Sequence, residues 1–179
     1  MALTATLFNI TVDLSDVDRG VYETLDLKIA QHPSESAEYM VARVLAYCLE
    51  YTEGIELTQG VSAGDEPAVL VRDLTGRITA WIEVGLPDAD RLHRASKMAD
   101  HVAVYTHRDR RQLLGLLEGK KIHRRAELSL YALDRHFVAE LAERMGRRAR
   151  LTLSVTEQHI YAGIDGHALE CVIEKINLP

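Results

Sequence analysis

Ile78-Thr79-Ala80-Trp81-Ile82-Glu83-Val84-Gly85-Leu86-Pro87-Asp88 is an apolar run closed by Gly-Leu-Pro and followed by a helix-capping aspartate. Residues 78–84 suit a strand, and Asp88 suits the start of a helix reaching about Ala99. Upstream, Ala68–Arg72 is a second strand, joined to the first through Asp73-Leu74-Thr75-Gly76, which has the turn chemistry of a hairpin. Ile55–Val61 supplies a third. Downstream, His101-Val102-Ala103-Val104-Tyr105-Thr106 is a continuous apolar run suited to a buried, parallel strand.

Ser34 is placed to cap a helix running to about Tyr51, with Glu35 in its first turn. Met40, Val41, Val44, Leu45, Cys48 and Leu49 recur at helical spacing and form its apolar face. The order from Ser34 to Thr106 is thus helix, three strands, helix, strand. Strands at 3–12 and 21–29 precede it. A helix near 109–118, a strand at 128–133, a helix from Asp134 to Met145 and strands at 150–156, 158–163 and 168–176 follow. The expected class is α/β (α+β), a mixed central sheet with flanking helices and extra terminal strands, in one domain over 1–179.

The 179 residues suffice for a sizeable core without cross-links, and two cysteines, Cys48 and Cys171, read as buried thiols in a reducing compartment. No apolar run approaches the roughly 20 residues of a membrane span, and the opening residues lack a signal-peptide pattern. A cytoplasmic protein is expected. Net charge is −6, against strong non-specific DNA binding. Its distribution is uneven. Residues 91–150 hold 15 Lys and Arg against 7 Asp and Glu, whereas residues 1–90 hold 5 against 16. The basic segment suits either a phosphate-facing surface or solvated helix faces. Within it, Lys120, Lys121, Arg124 and Arg125 are candidates for nucleic-acid contact, as is the run Arg144–Arg150. No zinc motif, glycine-rich phosphate loop or nucleophile elbow occurs.

Three acids are candidates for a shared pocket. Glu38 precedes Val41 and Leu45 by three and seven positions and so lies on the helix's apolar meridian. Glu83 sits in an otherwise apolar strand. Glu66, beside Asp65, stands at the mouth of the preceding strand. Oxygen ligands of this kind suit magnesium or manganese. The same spacing also fits three separate jobs: Glu38 bonding a backbone group, Glu66 exposed in a turn and Glu83 paired with an arginine.

The whole chain resembles the YaeQ family of small bacterial proteins. Met-Ala-Leu-Thr-Ala-Thr at the start, His32-Pro33-Ser34-Glu35 with Glu38, Asp65-Glu66-Pro67, the run Trp81–Asp88 and Tyr105-Thr106 carry the resemblance. It implies a variant of the PD-(D/E)xK nuclease fold, a restriction-endonuclease-like αβββαβ core over about 34–107. Glu38 then matches that superfamily's helix acid, Glu66 or Asp65 its first strand acid and Glu83 the acid of its (D/E)xK step. The lysine of that step is missing, since the chain reads Glu83-Val84-Gly85. Lys97, with Arg94 three positions before it on the next helix, is the candidate replacement, and Gln59 a weaker polar addition to the pocket.

Two functions are expected from this. One is metal-dependent phosphodiester hydrolysis, with Glu38, Asp65, Glu66 and Glu83 holding the ion and Lys97 and Arg94 steadying the phosphate. The other is a degenerate nuclease-fold module that binds nucleic acid or a protein partner.

Overall fold

The computed structural model describes residues 4–59 and 64–179. Among the described residues, eleven strands form two sheets rather than one, and four α-helices pack on them. Strands β1 (Thr6–Asp16) and β2 (Val21–Gln31) form a long hairpin in antiparallel register. It joins β8 (Arg148–Thr156), β9 (His159–Ile164) and β10 (His167–Val172) in a five-stranded sheet ordered β10-β9-β8-β1-β2. The second sheet is ordered β11-β7-β6-β5-β4-β3. It comprises β3 (Ile55–Leu57), β4 (Val69–Arg72), β5 (Ile78–Val84), β6 (His101–Thr106), β7 (Ser129–Ala132) and β11 (Glu174–Ile176). Strands β5, β6 and β7 run parallel, as the unbroken apolar sequence of β6 requires of a strand covered on both faces.

Four helices complete the fold: α1 (Ala37–Leu49), α2 (Ala89–Met98), α3 (Arg110–Leu117) and α4 (Arg135–Arg144). Alternation along the six-stranded sheet assigns them to faces. Ile82, Val84, Ala103, Tyr105 and Leu133 share one core with α1, α4 and the inner residues of the five-stranded sheet. Trp81, Val102, Val104 and Leu130 share a second core with Leu92, Leu113 and Leu117 of α2 and α3. Side chains that alternate in sequence thus enter different cores. Helix α1 is buried almost all round, Ala42, Arg43 and Ala46 included, because the first core surrounds it.

Several boundaries move. Ser36, not Ser34, caps α1, its Oγ accepting the Tyr39 N–H at 3.0 Å, while the Ser34 hydroxyl lies 2.6 Å from His32 Nδ1. Glu35 therefore precedes the helix and faces Arg43 instead of the helix dipole. The strand expected over 168–176 is two. The Ile173 N–H is donated to Gln158 O at 2.8 Å, and beyond it β11 pairs with β7 of the other sheet. One register break thus carries the chain between sheets. The strand expected over Ile55–Val61 ends at Leu57, and its last two residues lie outside the described segments.

The predicted turn at Asp73–Gly76 forms. Asp73 Oδ1 accepts the Thr75 and Arg77 N–H groups at 2.9 and 3.1 Å, and Gly76 takes φ 86°. The expected caps Asp88 and Asp134 accept the N–H groups of Arg91 and Phe137, each at 2.8 Å. Both cysteines are buried free thiols, and burial pushes that of Cys48 up to about 12. No helix among the described residues is long and apolar enough to cross a membrane.

Gly54 is a point of close approach. It has φ 86°, and a methyl there would collide with the Arg72 carbonyl oxygen as β3 and β4 begin to pair. Gly54→Ala is expected to cost about 2 kcal/mol in urea unfolding, since strain and backbone clash add. A loss below about 0.5 kcal/mol would show that the turn yields.

Candidate functional site

The carboxylate expected at the centre of the site, Glu83, is 3% exposed on β5. By the pleat it shares the face of Trp81, toward α2. Its Oε1 accepts the Trp81 indole N–H at 2.7 Å and the Arg91 Nε–H at 2.5 Å. Arg91 also donates through Nη1 to Gly64 O at 2.8 Å and through Nη2 to Glu66 O at 2.5 Å. One guanidinium thus joins α2, the strand acid and the loop before β4. Burial lifts the Glu83 carboxyl above its usual range, while the Trp81 bond and the Arg91 charge hold it back.

The other acids stand elsewhere. Glu38 is half-buried in the first turn of α1, and its charge acts on His107 at the end of β6. Asp65 and Glu66 are exposed in a turn, and it is the Glu66 backbone that reaches Arg91. Among the described residues no three His, Cys, Asp or Glu side chains are gathered as a metal would need. This donor set does not fit a divalent cation: its most buried acid is already matched by a guanidinium, and Asp65 and Glu66 are exposed in a turn. Gln59 is exposed at the end of a described segment.

Arg91 was the cation that sequence spacing overlooked. It sits one turn before Arg94, three residues past the Asp88 cap, and is the α2 position that reaches the strand. Arg94 and Lys97 are exposed on the outer side of the helix. Tyr39 was missed too. Its ring closes over Gly85, whose φ of 89° leaves ordinary contact distance (3.6 Å) between that ring and a would-be Cβ.

The basic turn after α3 divides in two. Arg124 donates to the carbonyls of Ser96 in α2 and of Ala99 just past its end, at 2.6 and 2.7 Å, closing that helix. Arg125 donates to Pro179 O at 2.9 Å and Leu117 O at 3.4 Å. Both guanidiniums expected on phosphates are thus engaged with backbone oxygens. Lys120 and Lys121 are exposed. The His123 N–H donates to His93 Nδ1 at 3.0 Å, so this turn lies along α2.

The family model described as "YaeQ protein" matches residues 1–173. An uncharacterised YaeQ protein of Escherichia coli K12 is 34% identical over 171 residues, covering 95% of this chain and 94% of that one. Its Salmonella typhi counterpart is 35% identical over 162 residues, 90% of each. A crystal structure of YaeQ from Pseudomonas syringae superposes with TM-score 0.88 at 30% identity, covering 97% of this chain and 96% of that chain. One from Xanthomonas axonopodis pv. citri gives 0.83 at 26%, covering 98% and 100%.

Proposed function

The chain belongs to the YaeQ family, and on that premise we propose that it binds nucleic acid through the outer side of α2 without cleaving it. Helix α2 carries the reading. Its inner side commits Arg91 to Glu83, the acid that hydrolysis would need free for a metal. Its outer side leaves Arg94 and Lys97 exposed, and the turn that bonds to the helix through His123 carries the exposed Lys120 and Lys121. Without aromatic side chains among them, these four charges suit backbone phosphates rather than bases. Arg148 and Arg150 of β8, with Arg147 just before it, are exposed on the other sheet, and Arg150 is paired with Asp13 at 2.9 Å. The nuclease-like order α1-β3-β4-β5-α2-β6 is then a scaffold, with its chemistry lost at the Glu83 step.

A gel shift in EDTA with duplex DNA and with RNA tests this. Retardation at 50 mM salt is expected to weaken roughly a hundredfold by 200 mM if about four phosphates are neutralised. Substituting Lys97, Lys120 and Lys121 together by Gln is expected to abolish it. Absence of any shift at low salt, for either nucleic acid, would overturn the reading and leave a protein partner.

A further inference from the structure

Among the described residues, four strands end the two sheets: β10 and β2 in one, β11 and β3 in the other. Strands β10, β11 and β3 are short, with 6, 3 and 3 residues. Strand β2 has 11 residues, paired to β1 in one unbroken register. Its backbone is bonded to no other strand among the described residues. An open edge of this length is a template for another strand, and proteins usually blunt it with proline, a bulge or repelling charge. Val21–Gln31 contains no proline or glycine, and its pairing shows no bulge.

The charges on this strand are Glu23, Asp26 and Lys28. Thr24, Asp26, Lys28 and Ala30 lie exposed on the outer face, while Leu25, Leu27 and Ile29 are buried in the first core. Asp26 accepts the Thr11 hydroxyl at 3.0 Å. Neither Asp26 nor Lys28 takes part in an ion pair among the described residues. In an antiparallel pair, residues directly opposite share a face, so two copies laid edge to edge keep their inner rows continuous. With the two-fold axis at Leu27, Leu25 stands opposite Ile29 of the second copy and Leu27 opposite its own equivalent. Asp26 then stands opposite Lys28 in both halves, and Glu23 opposite the neutral Gln31. The four central charges form a square of alternating sign. Moving the axis one residue sets Asp26 against Asp26 or Lys28 against Lys28. It also brings Ile29 against Glu23 or Leu25 against Gln31. Charge and apolar pattern choose the same register.

We propose that β2 pairs antiparallel with β2 of a second copy of this chain, centred on Leu27, so that the two five-stranded sheets become one continuous sheet. Tyr22, a large side chain left 61% exposed near the start of the strand, then lies opposite His32 of the second copy. The pairing shares no residue with the α2 surface, so it stands or falls separately from nucleic-acid binding.

Sedimentation equilibrium of the full chain, at concentrations up to about 100 μM, tests it. A monomer–dimer equilibrium is expected for the wild type. D26K and K28D each turn two attractive contacts into two repulsive ones, and each alone is expected to weaken dimerisation roughly tenfold. Mixing the two variants is expected to restore association, because opposite charges again meet in both halves. D26K/K28D by itself is expected to recover it for the same reason. Unfolding of a variant cannot produce that rescue. A wild type that stays monomeric, single variants that dimerise as the wild type does, or a mixture and a double variant that remain monomeric would each overturn the proposal.

Discussion

Arg43→Met is expected to lower the unfolding free energy by about 4 kcal/mol. Arg43 is 1% exposed in the middle of α1, inside an otherwise apolar core. Its Nη1 meets Glu35 Oε1 at 2.8 Å, both side chains being sealed from solvent, and its Nη2 donates to Thr58 O at 2.7 Å. Methionine fills much of the volume but strands a buried carboxylate, whose desolvation is then uncompensated. Among the described residues, the second oxygen of Glu35 accepts only the His32 N–H, at 3.4 Å. The double variant E35L/R43M removes both charges and is expected to recover most of the loss, because the pair's attraction largely offsets its own dehydration. Urea unfolding of the two variants measures this. A single-variant loss below 1 kcal/mol, or a double variant no better than the single, would contradict it.

Arg91→Met is expected to cost about 3 kcal/mol at neutral pH, somewhat less because its side chain is 26% exposed and water reaches it. Three anchors go at once: the Glu83 pair and the carbonyls of Gly64 and Glu66. The pH dependence has a definite sign. The Glu83 carboxyl is raised above its usual 4.5 in the folded chain, mainly by burial, so the fold holds a proton that the unfolded chain releases. That stabilisation is full below the unfolded value and lost as pH rises through the folded one. Arg91 is among the groups holding the carboxyl down, so its removal raises it further. The deficit of Arg91→Met against wild type is therefore expected to widen from about pH 4.5 to neutrality. E83Q/R91M, measured against E83Q so that neither protein carries the titrating carboxyl, is expected to show a smaller deficit that does not change with pH. Denaturant melts across that range decide it, and a deficit that narrows with rising pH would refute the account.

Much of the architecture was legible along the chain because it is local. The Asp73–Gly76 hairpin, the Asp88 and Asp134 caps and the apolar run of β6 each follow from backbone chemistry within a few residues. The element order across the core from Ser34 to Thr106 was legible for the same reason. Division of the strands into two sheets was not. Pairing β1 with β8 joins residues about 140 positions apart, and alternation says only that two faces exist.

The candidate site shows the same limit. Residue type marked Glu83 as a buried acid in an apolar strand, and hydropathy alone gives that much. Which face it takes, and that Arg91 rather than Lys97 or Arg94 arrives there, depends on how α2 lies across the sheet. Glu35 likewise read as an acid in the first turn of a helix, until packing on all sides of α1 made it the sealed partner of Arg43. Sequence by itself determined the elements, their order and the family, because these rest on short-range propensity and pattern. Tertiary structure alone decided which charges meet, because ionic attraction and its dehydration cost are set by through-space distance and burial, neither of which is written in residue spacing.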